Sequence, residues 1–129
     1  MHTFKKEERL SNKKKIRSLF SEGYSFIIYP IKITWKEMKL DCNYPVQVLI
    51  NVSQHNFRKA VDRNLLKRRM RETYRKNKHQ LYEPLTLNKK QYALSLVYIG
   101  KNIANYQDIE TIIITIIQRL IKEYEKNIG

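Results

Sequence analysis

Three stretches of the chain alternate apolar and polar residues with a period of two, which is typical of half-buried β-strands. They are the segment that begins at Ile31, the segment Val46 to Val52 and the segment Tyr92 to Tyr98. Pro30 lacks a hydrogen-bond donor for the ladder, so it marks the start of the first strand. The short apolar piece at 26–28 is predicted to pair separately or at a sheet edge. A loop around Asp41 to Pro45 joins the first two main strands, and we predict that they form an antiparallel hairpin.

Two further stretches carry apolar residues at helical spacing. Ser11 is the predicted N-cap of the first helix, and Gly23 is its predicted C-terminal end. The apolar face of this helix has i, i+3, i+4 spacing and consists of Ile16, Leu19 and Phe20. A last helix, capped by Asn105 or Asp108, carries a broad apolar stripe, formed by Ile109, Ile112, Ile113, Ile116, Ile117, Leu120 and Tyr124.

The central segment 58–78 contains no Pro or Gly and predicts a helix from about Ala60 to His79. Its core side contains Leu66, Met70, Thr73, Tyr74 and, further along, Leu81. The neighbouring arc of about 100° is polar and cationic, and consists of Asn64, Lys67, Arg68, Arg71, Arg75 and Lys78. One face of this helix is therefore predicted to pack on a core, and the next face to carry positive charge.

The elements occur in the order α-β-β-β-α-β-α when the piece at 26–28 is counted as a strand. This order predicts an α+β fold in which helices mostly cover one face of a sheet. A length of 129 residues and a hydrophobic content of 42% suit a single domain, spanning 1–129, with one core.

The charge of the central helix is not that of an ordinary solvated surface. Solvated helices usually interleave acids at i and i+4, whereas Lys67, Arg71 and Arg75 form a row of like charge. Such a row destabilises an isolated helix by roughly a few tenths of a kcal/mol per pair. We therefore predict a polyanionic partner. The arginines favour phosphate, because a guanidinium offers two parallel donors to two phosphate oxygens.

The excess charge is concentrated in two patches. Of the formal net charge of +14, residues 58–78 carry +8 and residues 1–20 carry +5, whereas 21–57 are neutral and 79–129 carry +1. A uniformly basic surface would indicate solubility, whereas two discrete patches indicate a footprint on nucleic acid.

Other candidate chemistry is sparse. Cys42 is the single cysteine, and the histidines lack the spacing of a zinc site, so we expect a reducing cytoplasm and no protein-bound cofactor or metal. The twelve acids are thinly spread and no Gly-rich phosphate loop is present, so we predict no catalytic residue on the protein. The most apolar run, 109–121, is short and interrupted by charge, which argues against a membrane span.

The central helix also carries a family resemblance. The run KAVDRNLLKRRMRE, with Arg63-Asn64, Lys67-Arg68 and Arg71-Glu72, resembles the RNR helix of the bacterial ribonuclease P protein subunit. The order of the other elements is similar to that family along nearly the whole chain. The resemblance implies a mixed sheet with a left-handed crossover through the basic helix, whereas the general handedness rule favours a right-handed one.

The resemblance further implies the partners and the site residues. The family's protein binds a catalytic RNA, one protein per RNA, and helps it to remove 5′ leaders from precursor tRNA, with Mg²⁺ at the RNA–substrate interface. The residues expected to bind the catalytic RNA are Arg58, Lys59, Arg63, Asn64, Lys67, Arg68, Arg71 and Arg75. Those expected to line the leader cleft, between the first helix and the sheet, are Ile16, Phe20, Trp35 and Ser53.

Several alternatives stay open at this stage. Phe20 could pack in the core instead of lining the cleft, and the strand register decides whether Thr34 or Trp35 faces that cleft. Gln54 and His55 stand where the family usually has a lysine pair, so this loop is not expected to bind phosphate. A ribosomal RNA-binding protein would have similar composition. A DNA-binding protein is disfavoured, because no short turn and partner helix precede the central helix.

Overall fold

The computed structural model describes residues 3–128, with side chains described as far as Lys126. Within that range the chain forms four strands and four α-helices, preceded by a 3-10 helix at Lys6–Glu8. The strands are β1 (Tyr24–Ile28), β2 (Ile31–Glu37), β3 (Val46–Val52) and β4 (Tyr92–Tyr98). The helices are α1 (Lys13–Glu22), α2 (Ala60–Asn77), α3 (His79–Leu87) and α4 (Tyr106–Ile128). The predicted α+β class and element order are confirmed, with α3 as an addition. Met1, His2 and Gly129, which the predicted domain 1–129 includes, lie outside the described residues.

The four strands form one mixed sheet in the order β1-β2-β4-β3. β4 pairs antiparallel with β2, with Ile33 opposite Leu96, and parallel with β3, with Ile50 opposite Leu96. The predicted hairpin between β2 and β3 is therefore wrong, because β4 lies between them. Six of the seven β4 residues are buried, as expected for an interior strand with helices packed on both of its faces.

The two faces of the sheet carry different helices. The main core lies on one face, where α2 and α4 pack on side chains such as Ile33, Val48 and Leu96. On the other face, a smaller cluster joins Leu19 of α1 to Ala93 of β4 and to Leu10. The helix α1 leaves part of this second face uncovered, since Lys32 and Asn51 of the neighbouring strands are exposed. Helices thus cover most of one face and a smaller part of the other.

The boundaries of α1 follow from local chemistry. Its N-cap is Asn12, whose Oδ1 accepts a hydrogen bond from the backbone N–H of Lys15 at 3.1 Å, so the prediction of Ser11 was wrong by one residue. Gly23 ends the helix as predicted. A Cβ at Gly23 would lie 2.3 Å from the Leu19 carbonyl oxygen and 3.0 Å from that of Trp35, so only glycine fits between the helix end and β2.

The helix α3 was not predicted, because a proline such as Pro84 disfavours the interior of a helix. Pro84 lies inside α3 and lacks the donor for one helical hydrogen bond. Leu81 and Leu85, spaced i and i+4, are nevertheless buried and pack in the main core beside α4. Tertiary packing therefore outweighs the missing bond.

The last helix, α4, is confirmed with its apolar stripe buried on the main core. Of the two candidate caps, Asn105 holds the position, because its Oδ1 accepts a hydrogen bond from the Asp108 backbone N–H at 2.8 Å. The length and apolar face of α4 hold α2 in place, since these two helices share the largest helix–helix contact among the described elements.

Candidate nucleic-acid interface

The helix α2 places its predicted core residues and its predicted cationic residues on different sides. Leu66, Met70 and Tyr74 are buried, each at most 1% exposed. Arg58, Lys59, Asn64 and Arg68 are exposed, and Arg63, Lys67, Arg71 and Arg75 are half-buried. The separation that the sequence predicted is therefore present, and the cations extend along the helix from its first turn.

Part of the cationic side of α2 forms one wall of a groove. The floor of the groove is the edge strand β3, and the opposite wall is the N-terminal segment, residues 4–11. The lining residues are Asn64, Lys67 and Arg71 from α2, Val48, Leu49 and Ile50 from β3, and Phe4, Arg9, Leu10 and Ser11 from the N-terminal segment. The groove encloses about 870 Å³, counting the space open to solvent.

The N-terminal segment reaches this position because it pairs with the edge of the sheet. The backbone N–H of Leu10 donates to the Val48 carbonyl oxygen at 2.9 Å, and Arg9 forms a single parallel bridge with Val48. The side chain of Leu10 is buried against Leu19. The segment thus covers part of the β3 edge, and the Arg9 side chain remains exposed.

The electrostatics of the groove are one-sided. Arg9, Lys67 and Arg71 line it from both walls, and none of the described lining residues is an aspartate or glutamate. Like charges that converge on an apolar floor repel one another unless an anion lies between them. This arrangement can bind a phosphate backbone.

Arg75 differs from the other members of its predicted row. Its Nη2 donates to Glu72 Oε2 at 2.8 Å, and this hydrogen bond lowers the pKa of Glu72 and raises that of Arg75. Both side chains are partly exposed, so the pair adds little stability. Glu72 therefore offsets part of the charge of Arg75.

Arg63, the first residue of the RNR motif, lies against the start of its own helix. Its Nη1 donates to the carbonyl oxygens of Phe57 at 2.8 Å and of Arg58 at 2.7 Å. These bonds fasten the loop that leads into α2. Arg63 therefore holds Arg58 and Lys59 in position beside the helix N-terminus.

Lys78 does not belong to the cationic face, and its assignment to that arc was wrong. Its side chain is only 9% exposed and forms an ion pair with Glu8, which is fully buried. The reason is that α2 ends at Asn77, and the chain then turns into α3 and carries Lys78 inward.

On α1, the predicted cleft residue Phe20 lies on a side that is open to solvent. Phe20 is 52% exposed, whereas its neighbour Leu19 is fully buried and fills the core position on this face. Ile16 is half-buried against the small cluster around Leu19. Of the two alternatives for Phe20, the core position is thus excluded.

On β2, Thr34 and not Trp35 is the residue that faces α1, and it is buried there. Thr34 Cγ2 lies 3.1 Å from the position of a Cβ on Gly23, at the end of α1. Trp35 points to the opposite face, where it is 6% exposed and its ring centroid lies 5.2 Å from that of Tyr24 and 5.7 Å from that of Tyr92. The prediction that Trp35 lines the cleft is wrong, because the alternation of β2 directs its ring into the main core.

Ser53 follows the last residue of β3 and is half-buried. Its backbone N–H donates to the Tyr98 carbonyl oxygen at 3.1 Å, so the ladder with β4 extends one step beyond the strand. Continued alternation places it on the same face as Leu49, which packs towards α1. Phe20 and Ser53 therefore belong to the same face of the sheet.

Comparison with known proteins places the chain in a family. A family model described as ribonuclease P matches residues 4–123. The chain belongs to the ribonuclease P protein family. The ribonuclease P protein component of Porphyromonas gingivalis is 30% identical over 105 residues, which cover 81% of this chain and 77% of that protein. The corresponding protein of Petrotoga mobilis is 40% identical over 76 residues, covering 59% of this chain and 61% of that one.

Solved structures of ribonuclease P proteins share this fold. The Staphylococcus aureus protein superimposes with a TM-score of 0.69 at 16% identity, covering 91% of this chain and 97% of that one. The Thermotoga maritima protein also gives 0.69, at 20% identity, covering 87% and 96%. The mixed sheet and its helices are therefore common to the ribonuclease P proteins compared.

Two groups of residues in this ribonuclease P family member were missed by reasoning from the sequence. One comprises Lys32, Asn51 and Val97, which alternation places on the α1 face; Lys32 and Asn51 are exposed and Val97 is half-buried. The other is Arg9, which lies in the basic segment 1–20, where no periodic pattern indicates its position. The strand alternation was a usable signal for the first group only.

Within the part of the chain that the structure describes, no three His, Cys, Asp or Glu side chains are grouped closely enough to hold a metal ion. Across the same residues, no helix has the length and apolar character needed to cross a membrane.

Proposed function

We propose that this chain is the protein subunit of a ribonuclease P ribonucleoprotein, which binds the catalytic RNA and promotes the 5′ maturation of precursor tRNA. The observation that carries the proposal is the cationic groove along α2. Its described lining contains three cations and no acid, and the RNR motif supplies two of these cations, Lys67 and Arg71. Family membership supports the same partner.

Phosphate contacts from α2 supply most of the affinity in this proposal. Each cation that neutralises a phosphate releases counterions, so binding weakens as the salt concentration rises. Arg68 and Arg71 present guanidinium groups, which bind two phosphate oxygens at once. Such contacts position the RNA without reading its sequence.

The precursor's 5′ leader binds, in this proposal, along the face of the sheet beside α1. Phe20 offers an exposed aromatic ring on which a base can stack, and Ile16 supports the ring's helix from the cluster beneath it. Lys32 and Ser53 lie on the same sheet face and provide polar groups for the backbone. Single strands are usually bound by cations that contact the backbone together with aromatic rings that stack on bases.

Catalysis belongs to the RNA in this proposal, with one protein per RNA. Several described carboxylates are engaged in ion pairs, among them Glu8, Glu72 and Glu110. The described residues do not offer a ligand set that fits Mg²⁺, so no step is assigned to a metal on the protein. Mg²⁺ is expected at the RNA–substrate interface.

Purification from the host cell tests this proposal. The protein, carrying an affinity tag at one end, should retain ribonuclease P RNA through a wash of moderate salt. A charge-reversed variant, Lys67→Glu with Arg71→Glu, should lose that RNA while it keeps the native circular dichroism spectrum. Recovery of ribosomal subunits in place of ribonuclease P RNA would contradict the proposal and identify a ribosomal protein.

A further inference from the structure

The N-terminal segment is held to the rest of the protein by a buried polar network. Glu8, in the 3-10 helix, is 0% exposed and forms an ion pair with Lys78. The Tyr82 hydroxyl donates to Glu8 Oε1 at 2.8 Å, and the backbone N–H of Lys5 donates to Glu8 Oε2 at 2.7 Å. The Lys78 ammonium also donates to the Thr3 carbonyl oxygen. The network therefore joins residues 3–8 to the junction between α2 and α3.

Ring contacts continue from this network towards the groove. The ring of Phe4 packs edge-on against that of Tyr74, with centroids 5.9 Å apart. The guanidinium carbon of Arg9 lies 5.3 Å from the centroid of the Phe4 ring. The Arg9 side chain thus packs against Phe4, and its position depends on the network at residues 3–8 as well as on the pairing of Arg9 and Leu10 with Val48.

Stability alone does not explain a buried ion pair. Removing two charges from water costs several kcal/mol per ion, and well-packed apolar residues in the same place are often equally stable or more stable. A buried pair does, however, select one position for the segment that carries it, because each charge is very costly without its partner. The pair between Glu8 and Lys78 therefore sets the position of the segment that follows.

This position places a third cation on the wall opposite α2. Arg9 adjoins Glu8 in the chain and lines the same groove as Lys67 and Arg71. The three side chains approach the groove from two elements that are far apart in the sequence. These three positive charges repel one another, and a polyanion between the two walls would offset the repulsion.

We infer that the N-terminal segment is the second wall of the RNA-binding groove, that Arg9 binds the same stretch of RNA backbone as Lys67 and Arg71, and that Glu8 and Lys78 are positioning residues for Arg9. This inference rests on the proposed function, in which the groove binds the catalytic RNA. The ligand chemistry is the phosphodiester backbone, which suits cations on two sides of a groove.

Charge removal at Arg9 tests the first part. Arg9→Gln should weaken binding of the protein to ribonuclease P RNA. The decrease of log K with log salt should become less steep by roughly 0.7 to 0.9. Lys67→Gln should produce the same change of slope. Lys122→Gln, which removes an exposed charge from α4 outside the groove, is the matched control and should alter neither quantity.

Glu8→Gln tests the positioning role, because the amide keeps the shape of the side chain and removes its charge. The variant should weaken RNA binding by a factor close to that of Arg9→Gln. In an Arg9→Gln background it should cause little further loss of affinity, whereas its effect on thermal unfolding should be the same in both backgrounds. Should Glu8→Gln fail to fold, Tyr82→Phe removes one donor to the same carboxylate and takes its place.

The outcomes separate the inference from the proposed function. If Lys67→Gln and Arg71→Gln leave the RNA affinity unchanged, the proposed function fails. If those two variants weaken binding and Arg9→Gln does not, the inference alone is overturned. If Glu8→Gln weakens RNA binding equally in the native and the Arg9→Gln backgrounds, Glu8 does not act through Arg9. The positioning role would then be refuted, and the RNA contact of Arg9 would stand.

Discussion

Phe20 is the apolar residue of α1 that is exposed to solvent. Its neighbour Leu19 is fully buried and secures the helix to the sheet, whereas the ring of Phe20 is 52% exposed. An exposed large aromatic side chain leaves apolar surface in contact with water, and such surface can serve as a binding site. The exposure of Phe20 excludes a role in the core and leaves its ring accessible for the leader binding that we propose.

We predict that Phe20→Ala selectively weakens the binding of precursor tRNA that carries a 5′ leader. Loss of one stacked base should cost the reconstituted holoenzyme about 1 to 3 kcal/mol of affinity. Mature tRNA should bind as before, and the thermal unfolding of the protein should change little, because the ring is exposed.

Leu19→Ala is the matched control for this prediction. It should destabilise the fold by about 2 to 5 kcal/mol, because the side chain is fully buried. Binding assays on leader-bearing and mature tRNA, run beside unfolding curves, measure all three quantities. An equal loss for both RNAs in the Phe20 variant would remove Phe20 from the leader site.

Thr34 and Trp35 show what the alternation of a strand predicts about individual residues and what it does not. Alternation established that these two side chains point in opposite directions. Both faces of this sheet carry helices, so the pattern could not indicate which face holds α1. The answer depends on tertiary packing, since Trp35 fills the main core between Tyr24 and Tyr92.

At the scale of elements, α2 and α3 act together. The two helices are separated by Lys78, which turns inward and pairs with Glu8, 70 residues away in the chain. A helical wheel placed Lys78 on the cationic arc because it assumes a continuous helix and contains no information on distant partners. The earlier members of the predicted arc were placed correctly because they lie on regular helix, and they are Asn64, Lys67, Arg68 and Arg71.

The tyrosines at this junction predict a pH dependence of stability. Burial raises the pKa of Tyr74, and burial together with the Tyr74 hydroxyl raises that of Tyr82. In the unfolded chain a tyrosine loses its proton near pH 10. The folded state therefore keeps protons that the unfolded state releases, so this contribution to stability is complete below about pH 10 and is lost as the pH rises further.

Urea unfolding at pH 9 and at pH 11 measures the effect. The free energy of unfolding should fall over this interval in the native protein, and it should fall less steeply in Tyr82→Phe, which has one titrating group fewer. The comparison uses the change in the free energy of unfolding between pH 9 and pH 11 in each protein, and not the absolute stabilities of the two proteins. The same slope in both would show that Tyr82 does not titrate differently in the folded state.

At the scale of the whole molecule, the order of strands determines where the site lies. β4 occupies the centre of the sheet, and the α2–α3 crossover carries the chain from the edge strand β3 to β4. The cationic side of α2 consequently lies along an edge strand, where the N-terminal segment can close a groove. Local patterns predicted each strand but not this order. The sequence of β4, YALSLVY, is almost continuously apolar, which is typical of a strand buried on both faces. This pattern could have indicated that β4 is an interior strand, and the structure shows that six of its seven residues are buried.

The central claim is that the protein supports cleavage by an RNA and does not cleave by itself. The most direct measurement incubates precursor tRNA with the protein alone, with ribonuclease P RNA alone, and with both, at low Mg²⁺. Cations that offset phosphate repulsion should allow the mixture to remove the 5′ leader under conditions in which neither component does so alone. Specific cleavage by the protein alone, or no gain on mixing, would contradict the account.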